Sequence, residues 1–197
     1  MTSSFKIAVK NLDAEFVQAM KEKYAEAELE ITINRSPTSP LLEEKDFWAI
    51  IDHLDWEQEE DEAILEPAIN KLASLPIAQI YSFEEILSEK LYRLDQQRFA
   101  INIGDSSYDK DRYFSADVFL YARACVIANG EEAYELVLND PTKMPKNITF
   151  EPLLHLAARA YEYKTKKPFS YISTYNYETY SNSEGWKEMT YGLALNQ

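Results

Sequence analysis

The stretch Phe114-Ser115-Ala116-Asp117-Val118-Phe119-Leu120-Tyr121-Ala122-Arg123-Ala124-Cys125-Val126-Ile127-Ala128 is apolar on nearly every side when wound as a helix. A helix without a wet face belongs in the middle of a protein, covered by other elements. The chain supplies the cover on both sides of it. From Glu43 to Asp55 the residues Phe47, Ile50, Ile51 and Leu54 form one apolar stripe. Ile64, Leu65, Ala68, Ile69 and Leu72 mark a second helix, with Pro67 at its start or kinking it. Pro76 suits the first turn of a long third, carried by Ile77, Ile80, Leu87, Leu91 and Leu94. Gly104 to Asp111 reads as a loop, and further helices are expected over Glu131–Leu138 and Phe150–Tyr163. Four glycines and eight prolines in 197 residues argue for long helices and against a turn-rich all-β fold.

The two ends differ from this middle. Phe5, Ile7 and Val9 alternate with polar or small residues, and Leu29, Ile31 and Ile33 do so again, with a helix after Asp13 between them. Ser36-Pro37-Thr38-Ser39-Pro40 separates this unit from the rest. Beyond the last helix, residues 161–191 hold seven of the fourteen tyrosines, and Tyr171, Ser173, Tyr175 and Tyr177 share one face of an extended segment. The expected fold class is mainly α. It comprises a strand–helix–strand α/β appendage at 1–36, a helical domain at 41–165, and a β-rich, Tyr-rich tail at 166–197. That tail packs on the domain or extends the N-terminal sheet, because two strands alone are marginal.

Charge narrows the partners. Between Glu43 and Glu66 eleven carboxylates face a single lysine, Lys45, within a chain of net charge −14. Acidic tails that stay disordered lack aromatics, whereas this stretch carries Phe47, Trp48 and Trp56. A folded, strongly negative face repels nucleic acid and anionic membrane and attracts basic surfaces. No apolar run reaches membrane-spanning length, and the N-terminus lacks a secretory pattern, so a cytoplasmic location is expected. Cys125, the single cysteine, reads as an inert buried thiol.

Several blocks carry a resemblance. They are Asp46-Phe47-Trp48-Ala49-Ile50-Ile51-Asp52, then Ser115, Asp117 and Phe119, then the helix bearing Arg123, the Gly130 turn, Tyr134, Asp140-Pro141, and finally Tyr177 to Trp186. In order and spacing they resemble a bacterial domain family of unknown function, the one numbered 4240, over about residues 46–186. Cys125 stands where many members carry Trp, and Ala122 where they carry an aromatic, which suggests a repacked central helix. The resemblance implies a mostly helical domain and brings no activity with it.

Two constellations stand out. The first is Arg123, whose apolar helix implies burial and therefore a carboxylate or carbonyl partner from elsewhere, such as the acidic helix or Glu178. With Ser115, Asp117, Glu178 and Asn182 it forms a polar site, either structural or ligand-binding. The second is the acidic face, with Glu44, Asp52, Asp55, Trp56, Glu59 and Glu60 offered to a partner. On a continuous helix Trp56 falls about 180° from Phe47, away from the core stripe. Asp46, Asp52 and Asp55 lack the loop of a calcium site, and His53 and His155 lack zinc partners, so no metal or cofactor is expected. The favoured expectation is a protein-interaction module that binds a basic protein, an inhibitor or immunity-type neutraliser being one instance. An enzyme or small-ligand domain centred on Arg123, Asp117 and the tail is the alternative. Homodimerisation through the N-terminal strands is a third expectation.

Overall fold

Ser115 starts the central helix: its hydroxyl accepts the Val118 N–H at 3.3 Å, satisfying one of the donors a helix N-terminus leaves open. The computed structural model describes residues 14–24 and 41–187. The chain divides into two units, Met1–Thr38 and Ser39–Gln197. In the first unit α1 spans Ala14–Lys23, with Lys21 and Lys23 in its last turn, where cations complement the helix dipole. The strands expected at 5–9 and 29–33, and the dimer edge built on them, lie outside the described residues.

In the second unit the helices are α2 (Glu44–Ile51), α3 (Asp61–Ser74), α4 (Ile77–Leu94), α5 (Gln97–Ala100), α6 (Ala116–Ala128), α7 (Glu131–Asn139) and α8 (Leu156–Thr165). Among the described residues there is no strand. α6 is the expected central helix, packed against α4, α7 and a 3-10 turn at Glu151–His155. α3 lies along α8, and α2 along α3 and α4. Lys164 donates to the Ala73 carbonyl in the last turn of α3 at 2.9 Å. Lys164 stands in the last turn of α8 and so meets a carbonyl at the C-terminus of a neighbouring helix as well.

Lys90 is buried on α4. Its ammonium lies 4.6 Å from the Trp48 ring centre and 4.7 Å from that of Tyr134, and it forms an ion pair with Glu44. The charge is thus held between aromatic faces and one carboxylate at the rim, which offsets its removal from water.

The acidic helix is shorter than its apolar stripe suggests. It ends at Ile51, and the N–H groups of His53 and Leu54 turn back to the carbonyls of Ile50 and Ile51. Asp55 then accepts the Glu57 N–H at 3.2 Å and the Gln58 amide at 3.0 Å, while its own N–H bonds to Ile64 O. Such local bonds offer the backbone an alternative to helix. Trp56 therefore stands in a turn, and its exposure does not come from the far side of a helix.

The tail carries a larger correction. Residues 166–187 form no strand; they run irregularly, with bends and turns and with Lys166 and Tyr180 at positive φ. Their N–H groups go to helix side chains: Thr174 to Glu85, Tyr180 and Asn182 to Asp95. A backbone donor bonded that way is not available to a ladder. The tyrosines pack similarly, with Tyr171 stacked 4.6 Å from Tyr81 on α4.

Candidate functional site

A groove of about 350 Å³ opens between four separated pieces of chain. Cys125, Val126 and Asn129 of α6 form its floor, and Ala133, Leu136 and Val137 of α7 one wall. The loop from Lys143 to Phe150 forms another wall, positioned by the Phe150 N–H bonding Tyr121 O at 3.0 Å. Trp56 closes the groove, its ring 5.0 Å from that of Phe150. Trp56 is 50% exposed, and Leu136 and Ile148 around the same opening are exposed as well. Three large apolar side chains thus stand together in the open at this groove. Burial pushes the Cys125 thiol up, so it stays protonated at the groove floor.

The rim is acidic. Asp52 ends α2, its carboxylate oxygen 3.8 Å from where a side chain at Gly130 would begin, next to Asn129 of the groove floor. Asp55 and Glu57 flank Trp56, and Glu57, Glu59, Glu60, Asp61 and Glu62 are all exposed. Glu132 stands one turn before Leu136 on the same face of α7. Of the six residues expected to face a partner, Trp56 lines this groove, Asp55 precedes it in the chain, and Asp52 lies near Gly130. Glu59 and Glu60 lie in the exposed turn leading to α3. Glu44 is engaged with Lys90, which lowers its pKa chiefly through that hydrogen bond.

Arg123 is 0% exposed. Its Nη1 donates to Leu91 O at 2.9 Å and Tyr177 O at 3.0 Å, and Nη2 to Thr179 Oγ1 at 2.9 Å. The guanidinium also lies 4.8 Å from the Phe119 ring centre. Its hydrogen-bond partners are thus carbonyls and a hydroxyl, and among the described residues it forms no ion pair with the acidic helix or with Glu178. Burial lowers its pKa to about 10 against the opposing pull of Asp95 and Glu178, so it remains charged at neutral pH.

Leu91 supplies one of the four carbonyls that end α4, and each of the four is met. Tyr92 O accepts from the Asn182 amide at 3.1 Å, Arg93 O from the Gln96 side chain, and Leu94 O from the Gln96 N–H. A cation at that end also suits the helix dipole. Buried Asp95 follows directly and accepts from Tyr180 N, Asn182 N, Ser181 Oγ and Trp186 Nε1. Gly185 is required here, since a Cβ would strike the Asp95 carbonyl and the Gln96 side chain.

Of the polar residues expected together, Arg123 and Asn182 do meet at the end of α4, through Leu91 and Tyr92. Ser115 caps α6, while Asp117 and Glu178 point to solvent. Asp95 and Thr179, which organise the arrangement, were not anticipated. Nothing local marks either: Asp95 stands in a polar run, and Thr179 is one hydroxyl among many in the tail. Arg123 lines neither this groove nor the smaller one beside it.

The second unit is thus a helical domain with a clasped central helix and an apolar groove that has carboxylates near its Trp56 end. Among the described residues no group of side chains has the make-up of a metal site, and no helix is long and apolar enough to cross a membrane. The chain belongs to the family described as "Protein of unknown function (DUF4240)", whose model matches residues 42–163. No curated protein and no solved structure gives a significant match. The matched span contains every residue of the groove; the tail that clasps Arg123 lies beyond it.

Proposed function

We propose that this protein is a cytoplasmic interaction module that binds a basic protein partner, an inhibitor or immunity-type neutraliser being one form of that role. The observation that carries the reading is Trp56, half-exposed over Phe150 at the mouth of an apolar groove, with carboxylates on both sides of it in sequence. Aromatic anchors that become desolvated supply affinity at interfaces, and surrounding charge supplies encounter rate and selectivity. A field of this sign favours a basic protein over nucleic acid or anionic membrane. The test is capture from the native lysate followed by kinetics of the captured protein on wild type and variants. Binding that ignores both Trp56→Ala and neutralisation of the acidic turn removes this reading.

A further inference from the structure

Two concavities open along one side of α6. Cys125, Val126 and Asn129 floor the first, and Val118 and Ala122 floor a second of about 260 Å³. These positions follow one another at helical spacing, so they belong to one face. Ile148 and Thr149 line both concavities and stand between them. The first is walled by Trp56 and Leu136, whereas the second carries Asp105, Ser106 and Asn147. The geometry of the second is fixed by Gly104 at φ 95°, where a Cβ would collide with the Asn147 side chain. That close approach lets Asn147 Oδ1 accept the Asp105 N–H at 2.7 Å. The two floors are centred about seven residues apart on α6, roughly 10 Å along its axis, which is the reach of about three residues of chain in the extended polyproline II form, whose side chains three apart return to the same side.

We infer that these concavities are two halves of one trough for an extended basic segment of a partner protein, which places a bulky apolar side chain beside Trp56 and an arginine or lysine, three positions away, at Asp105. The inference rests on the interaction reading above and gives that partner its chemistry. An apolar side chain in the first half removes Trp56, Leu136 and Ile148 from water together, the largest gain the exposed surface there offers. Charge then sets direction. Lys143 lines the apolar half and disfavours a cation there, whereas Asp105 is exposed and forms no ion pair among the described residues. A segment entering the wrong way round sets its cation against Lys143, which gives the trough a polarity. Asp52, Asp55 and Glu57 near the Trp56 end attract further basic residues flanking the apolar one.

Random heptapeptides displayed on phage and selected on the full chain test this, with the enriched sequences then synthesised and titrated by fluorescence anisotropy. The expected sequences carry an aliphatic or aromatic residue with arginine or lysine three positions from it. Ala133→Trp fills the apolar half and is expected to weaken them at least about tenfold. Asp105→Asn is expected to weaken them about threefold and to abolish the preference for the cation. Leu136→Ser, a surface change that leaves the core intact, is expected to weaken them about threefold and serves if Ala133→Trp fails to fold. Absence of enrichment, enrichment without the paired residues, or affinity indifferent to the groove variants overturns the trough. Peptides that ignore the groove variants but lose affinity when Glu59, Glu60, Asp61 and Glu62 become Gln sink the trough and leave the acidic-face reading standing. Indifference to all of these changes sinks both.

Discussion

The Asp95 carboxylate accepts the indole N–H of Trp186 at 2.8 Å, joining residues 91 positions apart. Three further donors from residues 180–182 converge on the same carboxylate. Asp95→Ala leaves these donors without their acceptor. It is expected to lower stability in urea melts by about 3 kcal/mol, with Trp186 becoming accessible to an aqueous quencher. Unchanged stability would show that this segment contributes nothing to the fold it covers.

Arg123→Met keeps much of the volume of the side chain but removes every donor to Leu91, Tyr177 and Thr179. A loss of about 3 kcal/mol is expected, since several buried acceptors lose partners at once. Thr179→Val should reproduce a smaller part of it, because the Thr179 hydroxyl bridges Arg123 and the Ala116 carbonyl at 2.7 Å. Additive losses in the double variant would refute a shared network.

Glu84 lies 7% exposed on α4 with its pKa raised to about 7 by burial, and secondarily by Glu85. The folded chain therefore keeps a proton that the unfolded chain releases near pH 4.5. Stability should fall as pH rises from that value through about 7, by roughly 3 kcal/mol, and level off above. The Glu84 charge also helps push the Tyr177 hydroxyl up to about 12, behind the larger effect of burial. Glu84→Gln should flatten this part of the pH profile; a Gln variant with the wild-type slope refutes the assignment.

Trp56→Ala is expected to weaken partner binding about tenfold, mainly through faster dissociation. Changing Glu59, Glu60, Asp61 and Glu62 to Gln should mainly slow association and flatten its salt dependence. Circular dichroism should show both variants folded, because these side chains are exposed. Stopped-flow mixing across a salt series separates the two effects, and equal salt slopes for wild type and the Gln variant would rule out steering.

A chain beginning at Ser39 is expected to retain its helical far-UV signal and a cooperative melt, since the division at Thr38–Ser39 falls in a polar, proline-flanked segment. Aggregation of the shortened chain would place the N-terminal unit in the core of the second.

Periodicity carried the helices well because it is local. α6 was legible from its missing wet face, and Arg123 from being a cation in the middle of a nearly apolar helix. Leu54 was legible as core although α2 stops three residues earlier: the turn still brings it inward. The same wheel misplaced the reason for the exposure of Trp56, since Asp55 competes for the backbone only once the turn has formed. In the tail, the alternation of Tyr171, Ser173, Tyr175 and Tyr177 predicts a strand that the structure does not form, since bends at 174–175 interrupt it. What it lacks is the identity of the hydrogen-bond partner, which here is a helix rather than a strand. Asp95 illustrates the limit, for its burial is imposed by residues more than eighty positions away. The groove is less legible still, because Trp56 joins three successive segments between Cys125 and Phe150 and a concavity has no period.

Vectorial synthesis gives the closed end of α4 a timing. The ribosome delivers α4, Asp95 and Arg123 well before residues 177–186, so for that interval Arg123 has the Leu91 carbonyl but neither Tyr177 nor Thr179, and Asp95 has none of its donors from residues 180–186. A nascent chain ending soon after α8 holds every helix of the matched family span, yet its central helix still carries a charge without its final hydrogen-bond partners. Burial of both charges with their full set of partners therefore waits on the last segment to emerge.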